Sequence, residues 1–158
     1  MQLALEKAAT QMFPNLWLLL QCCATWGMVG LIWIVQLVHY PMFSSLEPGQ
    51  FTKHMEDHQK QISLVVLPLM MVELVSCLAM LWARPPAIPL SQVTAGLVLL
   101  AICWGSTFLI QVPQHTRLLQ GYDADVCRQL VSYNWIRTVA WSLRGLLVAV
   151  MLWLTLKN

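Results

Sequence analysis

Four histidines carry most of the chemistry this sequence could do: His39, His54, His58 and His115. Two of them fall four residues apart in the stretch "FTKHMEDHQK", residues 51–60. Residues at i and i+4 share one face of a helix. His54 and His58 can therefore ligate one ion together, as helical His-x-x-x-His pairs do. Glu56 and Asp57 lie beside them, able to join as ligands or to hold the imidazoles by hydrogen bonds. Imidazole suits zinc, copper and iron. The expected chemistry is a histidine-bound redox metal, iron or copper, with His39 and His115 completing the ligand set. The plain alternative is that each histidine makes an ordinary hydrogen bond at a membrane interface.

The elements that must position these residues are read from composition and hydropathy. Of 158 residues, 58% are apolar and 10% are charged. A soluble domain carries about 25% charged residues, so the expected setting is the lipid bilayer. A net charge of +2 without a basic patch gives no reason to expect a nucleic-acid partner. Crossing a bilayer takes about 20 apolar residues of helix. Four runs qualify, at roughly 16–39, 61–83, 92–112 and 136–156. The predicted fold is all-α: one integral membrane domain, a four-helix bundle with short amphipathic helical segments on one side. The opening "MQLALEKAATQMFPN" is amphipathic and is not followed by a small-residue cleavage pattern, so a removed signal peptide is not expected.

Four spans bring both termini to one side, together with the short proline-rich turn "RPPAIPLS". The longer segments 41–60 and 113–135 fall on the other side. The first should start a helix near position 48 that runs into the second span. The second reads as two helical pieces joined at Gly121, with Asp123 as N-cap of the later piece. This topology collects all four histidines at one end of the bundle, and a helix bundle can build a metal site from several helices at once. Counting Lys and Arg alone, the histidine side is the richer one: Lys53, Lys60, Arg117, Arg128 and Arg137 against Lys7, Arg84 and Lys157. Those five are matched by Glu47, Glu56, Asp57, Asp123 and Asp125, and the opposite side has the shorter loops. The reading adopted places both termini in the cytoplasm. The five cysteines show neither zinc-site nor CxxC spacing. They read as small apolar residues.

Polar residues inside the runs point to the same end. Gln36 lies one turn inside His39 and Tyr40. Thr107, Gln111 and His115 form one stripe, provided Pro113 does not break it. Asn134, Arg137, Trp141 and Arg144 form another. Such residues are costly in hydrocarbon and face the bundle interior or a cavity, so a polar cavity is expected. Glu73 falls about 20 Å below Lys60, and Arg144 about 10 Å below Arg137, at the helical rise. An ion pair between Glu73 and Arg144 is the simplest resolution. It is either the floor of a pocket, handling charge or protons, or a clamp between spans two and four. A bend at Pro68 would instead carry Glu73 towards the histidines.

The stretches "VPQHTRLLQG" and "LVSYNWIRTVAWSLRGLL" resemble small bacterial four-span membrane proteins of unknown function. More distantly, they are similar to the anthrone-oxygenase-like DUF1772 family. That family has a Pro-x-Asn-like motif ending its third span and an Asn-x-x-Arg-like motif at its fourth. The matching positions here are Pro113, His115, Asn134 and Arg137, so His115 stands where the family has asparagine. The resemblance spans about the C-terminal third. It implies a bacterial inner-membrane protein and an oxygenase acting on a polycyclic, lipophilic substrate without a cofactor.

Taken together, these readings predict a membrane oxidoreductase or oxygenase-like protein for a lipophilic small molecule. Glu73, Asn134, Arg137 and Arg144 would be catalytic, Gln36 and Gln111 would hold cofactor or substrate, and His39, His54, His58 and His115 would bind the metal. Two other readings compete. One is a haem protein with axial histidines and arginines near the propionates. The other is a non-enzymatic small-molecule binding or carrier protein. Alternating access is hard to build from four spans without a repeat, so a carrier would need a homo-oligomer.

Overall fold

The computed structural model describes the backbone of residues 2–43, 46 and 48–157, with side chains from residue 12 onward except Pro48. The side chains of Lys7 and Glu47, used above in weighing charge, lie outside the described residues. The described chain is helical. α1 (Gln2–Ile34) continues through a π-helical turn, Val35–His39, into the short α2 (Tyr40–Met42). α3 (Pro48–Ala79) forms the second rod. α4 (Leu90–Ser106) continues through a second π-helical turn, Thr107–Gln111, into α5 (Val112–Leu118), and α6 (Ala124–Lys157) closes the bundle. All four rods are long and apolar enough to cross a membrane.

Three apolar layers hold the rods together. At one end Leu18 of α1 packs with Met80, Ile88, Val93, Val148 and Met151. At mid-height Met28, Ile32, Met70, Cys103, Ala140 and Trp141 meet. At the far end Val35, Tyr40, Phe43, Phe51, Met55 and Leu118 pack with the start of α6. Early α1 and late α6 thus share one layer. Large apolar side chains also point outward, among them Leu64, Leu109 and Trp153. A surface this apolar is matched to lipid rather than to water. α1 and α6 approach closely at Gly145, where an added Cβ would lie 3.0 Å from Val29 Cγ2.

The local expectations hold where they concern breaks and caps. α3 begins at Pro48 and runs without interruption into the second span. Gly121 adopts φ 143°, a conformation open chiefly to glycine. Two residues on, Asp123 Oδ1 accepts from the backbone N–H groups of Asp125 and Val126 at 2.9 and 3.1 Å, capping α6.

The two π-helical turns share one cause. Pro41 and Pro113 each follow such a turn by one residue. Proline has no N–H, and its ring crowds the carbonyl four residues back. A wider turn relieves that crowding. The residue before each proline reaches five residues back instead: Tyr40 N–H to the Val35 carbonyl, and Val112 N–H to the Thr107 carbonyl. Single π turns inside α-helices recur at functional sites. Here both occur in the half of the bundle that holds the histidines.

Candidate functional site: an inter-helical cleft above a buried ion pair

The mid-height layer encloses a polar knot. Glu73 and Arg144 are 0% and 1% exposed, and Arg144 Nε meets Glu73 Oε1 at 2.9 Å. Thr25 donates to the same oxygen at 2.7 Å, and Trp141 Nε1 donates to Oε2 at 2.9 Å. Arg144 also donates to the Gly96 carbonyl, linking α6 to α4. Gln21 extends the knot, accepting from Ser76 at 2.7 Å and donating to Thr25 at 3.2 Å. Both carboxylate oxygens therefore have donors, which is the condition for burying a charge. The ion pair expected from the sequence is present. α3 continues through Pro68, and Glu73 meets Arg144 rather than the histidines. Neither Glu73 nor Arg144 lines the cleft above the knot.

That cleft has a volume of about 280 Å³. α3 and the α4–α5 rod form its sides, α1 forms its back, and α6 contributes Arg137. Leu31, Ile32, Val66 and Met70 line its apolar part, and Tyr40, His58, Gln111, His115 and Arg137 its polar part. The Tyr40 hydroxyl donates to Gln111 Oε1 at 3.4 Å and lies 3.2 Å from His115 Nε2. The Arg137 guanidinium lines the cleft with Tyr40 and stacks 5.2 Å from the centroid of Trp141. Trp141 thus joins the two regions: its N–H serves Glu73 below and its ring face serves Arg137 above.

The predicted residues separate into groups. Thr107, Gln111 and His115 do share one wall of the cleft, so the π turn keeps the stripe together ahead of Pro113. Arg137 and His58 also line it. Gln36 and Asn134 do not. Asn134 Nδ2 donates to Gln36 Oε1 at 2.9 Å, and Gln36 Nε2 donates to the Val131 carbonyl at 3.2 Å. With 3% and 0% exposure they clamp α6 to the π turn after α1. This is where cavity lining by the whole stripe fails: Gln36 and Asn134 bond one another instead.

The histidines do not assemble as a set of four. His39 and His58 meet edge to face with ring centroids 5.5 Å apart, and His58 lies 6.1 Å from His115. His54 is exposed and packs its ring against Phe43. Among the described residues no group of three or more His, Cys, Asp and Glu is arranged to hold a metal ion. The donor set therefore does not fit the expected iron or copper centre. Two residues important to the site carried weaker signals. Tyr40 follows Gln36 by four and precedes a proline, and Trp104 lies in an apolar run.

The architecture defines an all-α, integral membrane four-helix bundle with an inter-helical cleft. Compared with known proteins, the chain matches no family model, no curated protein and no solved structure.

Proposed function

We propose that this protein binds a lipophilic small molecule in the cleft between α3 and the α4–α5 rod. One observation carries the reading. A cleft of about 280 Å³ lies inside a membrane bundle, apolar along its length and polar at one end, as small-molecule sites are. The apolar walls hold the body of the ligand, and Tyr40, Gln111, His115 and Arg137 orient it. The test uses a radiolabelled long-chain alcohol with the full-length protein in lipid nanodiscs. Saturable one-to-one binding is expected, and Val66→Trp, which fills the cleft, should abolish it. Binding that never saturates, or that survives Val66→Trp, would remove the reading.

The Tyr40–His115 contact at 3.2 Å favours a second reading, an oxygenase-like enzyme without a metal. His115 would take a proton from the bound molecule, with Tyr40 fixing the imidazole and Arg137 countering the negative charge that develops. Oxygen uptake on adding an anthrone, lost in His115→Gln, would select this reading. A protein that binds anthrone without oxygen uptake would leave the binding function alone.

A further inference from the structure

Arg137 poses a problem that the fold leaves open. It is 6% exposed on a membrane-spanning helix. No carboxylate lies within ion-pair reach of it among the described residues, whose ion pairs are Arg128–Asp125 and Arg144–Glu73. Its Nε has no hydrogen-bond partner. A buried charge without a counter-charge is expensive, and most of all in a bilayer. The Trp141 ring face relieves part of that cost, but it is not an anion.

Other groups around Arg137 are unsatisfied in the same sense. Gln111, 1% exposed, leaves Nε2 unpartnered, and Trp104 leaves Nε1 unpartnered. Both side chains line the same cleft. Three N–H donors on side chains that line one cavity therefore lack acceptors. Native proteins rarely leave such groups unpaired. An acceptor-only group with negative charge, held by the planar guanidinium, answers both deficits at once.

The shape of the cleft says where the rest of that molecule goes. Leu67 on α3, Phe108 in the second π turn and Val112 on α5 all line it, and they are 49%, 52% and 47% exposed on the outer, lipid-facing surface. The cleft therefore opens sideways between two rods, into the hydrocarbon. A ligand entering there brings its tail from the bilayer and its head towards Arg137.

We infer that the cleft takes a single-tailed lipophilic carboxylate from the membrane, its head on Arg137 and Gln111 and its tail passing out between Leu67 and Phe108. The inference rests on the binding function proposed above and names its ligand class. A phospholipid headgroup offers similar oxygen chemistry. However, it brings two tails and a bulky head to a cleft with one buried cation, so the carboxylate is favoured.

The test compares one tail with three heads. Full-length protein in nanodiscs of zwitterionic lipid is titrated with a long-chain fatty acid, its methyl ester and the corresponding alcohol. The acid should bind at least about tenfold more tightly than either neutral form, the worth of a charge-assisted hydrogen bond. Arg137→Gln should bring the acid down to the level of the alcohol measured on the same variant. Equal binding of all three by the unaltered protein would overturn the inference and leave the lipophile site standing. Failure of all three to bind would overturn both. Displacement of the acid by stoichiometric phosphatidylglycerol would also overturn it, in favour of the headgroup. The comparison of heads on the unaltered protein decides the matter even if Arg137→Gln does not fold.

Discussion

Two arginines lie seven residues, about two helical turns, apart on α6, and both are almost fully buried. Arg144 has a carboxylate on its Nε and a carbonyl on its fork. Among the described residues, Arg137 has an aromatic face and no carboxylate, and each arginine keeps one nitrogen without a partner, Nε in Arg137 and Nη2 in Arg144. The surroundings differ in the same way. Around Arg144 the helices are regular, and both oxygens of the Glu73 carboxylate have donors. Around Arg137 two π-helical turns widen the α1 and α4–α5 rods, and a cleft opens between α3 and the α4–α5 rod. Burial alone therefore does not tell a structural charge from a functional one. What distinguishes them is whether the chain supplies the counter-charge.

The comparison breaks most sharply at Glu73. Replacing it with Leu leaves Arg144 buried with no anion, and losing one partner of a buried pair typically costs about 3–5 kcal/mol. Thr25 and Trp141 lose their acceptor as well. A large fall in unfolding midpoint is expected in mixed micelles. The double variant Glu73→Leu with Arg144→Met removes both charges and should recover most of that loss. Should the double variant be no more stable than the single one, the pair is more than a clamp.

Gln36 and Asn134 supply an intermediate case. They are neutral, bonded to one another and outside the cleft. Hydrogen bonds between membrane helices are worth about 0.6 kcal/mol on average, rarely above about 1.7. Asn134→Ala should therefore destabilise the bundle by about 1 kcal/mol, and binding of the long-chain alcohol should not change. A binding defect larger than the stability defect would return Asn134 to the site.

How much of this was legible in the sequence follows from the range of each interaction. Spans, the Gly121 break and the Asp123 cap depend on residues close in the chain, and hydropathy and turn chemistry read them correctly. The Glu73–Arg144 pair was legible because two deep charges of opposite sign have few other remedies. The stripes were legible only as faces. Gln36 and Asn134 share the polar face with Arg137, and nothing in their spacing says that they would bond each other. The π turns lay behind "YP" and "VP", where proline was visible as a break but not as a widening. The histidines misled through topology. Being at one end of a bundle is a coarser condition than being within ligand distance.

Arg137 should respond oppositely to Glu73. Arg137→Met removes an uncompensated buried charge and gives up a cation–π contact worth about 0.5–2 kcal/mol. The two effects offset, so stability should stay within about 1 kcal/mol of the parent in the same unfolding assay, far from the loss at Glu73. A fall as large as that of Glu73→Leu would mean that Arg137 has a counter-charge of its own, and the contrast between the two arginines would collapse.

The smallest effect is expected at His54, and it sharpens the reading of the open half. His54 and His58 share a helix face by spacing, yet His58 lines the cleft while His54 is exposed against Phe43. Exposed substitutions away from special features stay within about 0.5 kcal/mol. His54→Ala should leave both stability and long-chain alcohol binding unchanged, while His58→Ala, which enlarges the cleft and removes a polar wall, should alter the binding. Equal loss of binding in both variants would mean that the two imidazoles act as a pair. Metal content measured on the parent and on each variant would then be the deciding quantity, because two histidines on one turn that act together do so most naturally through a shared ion.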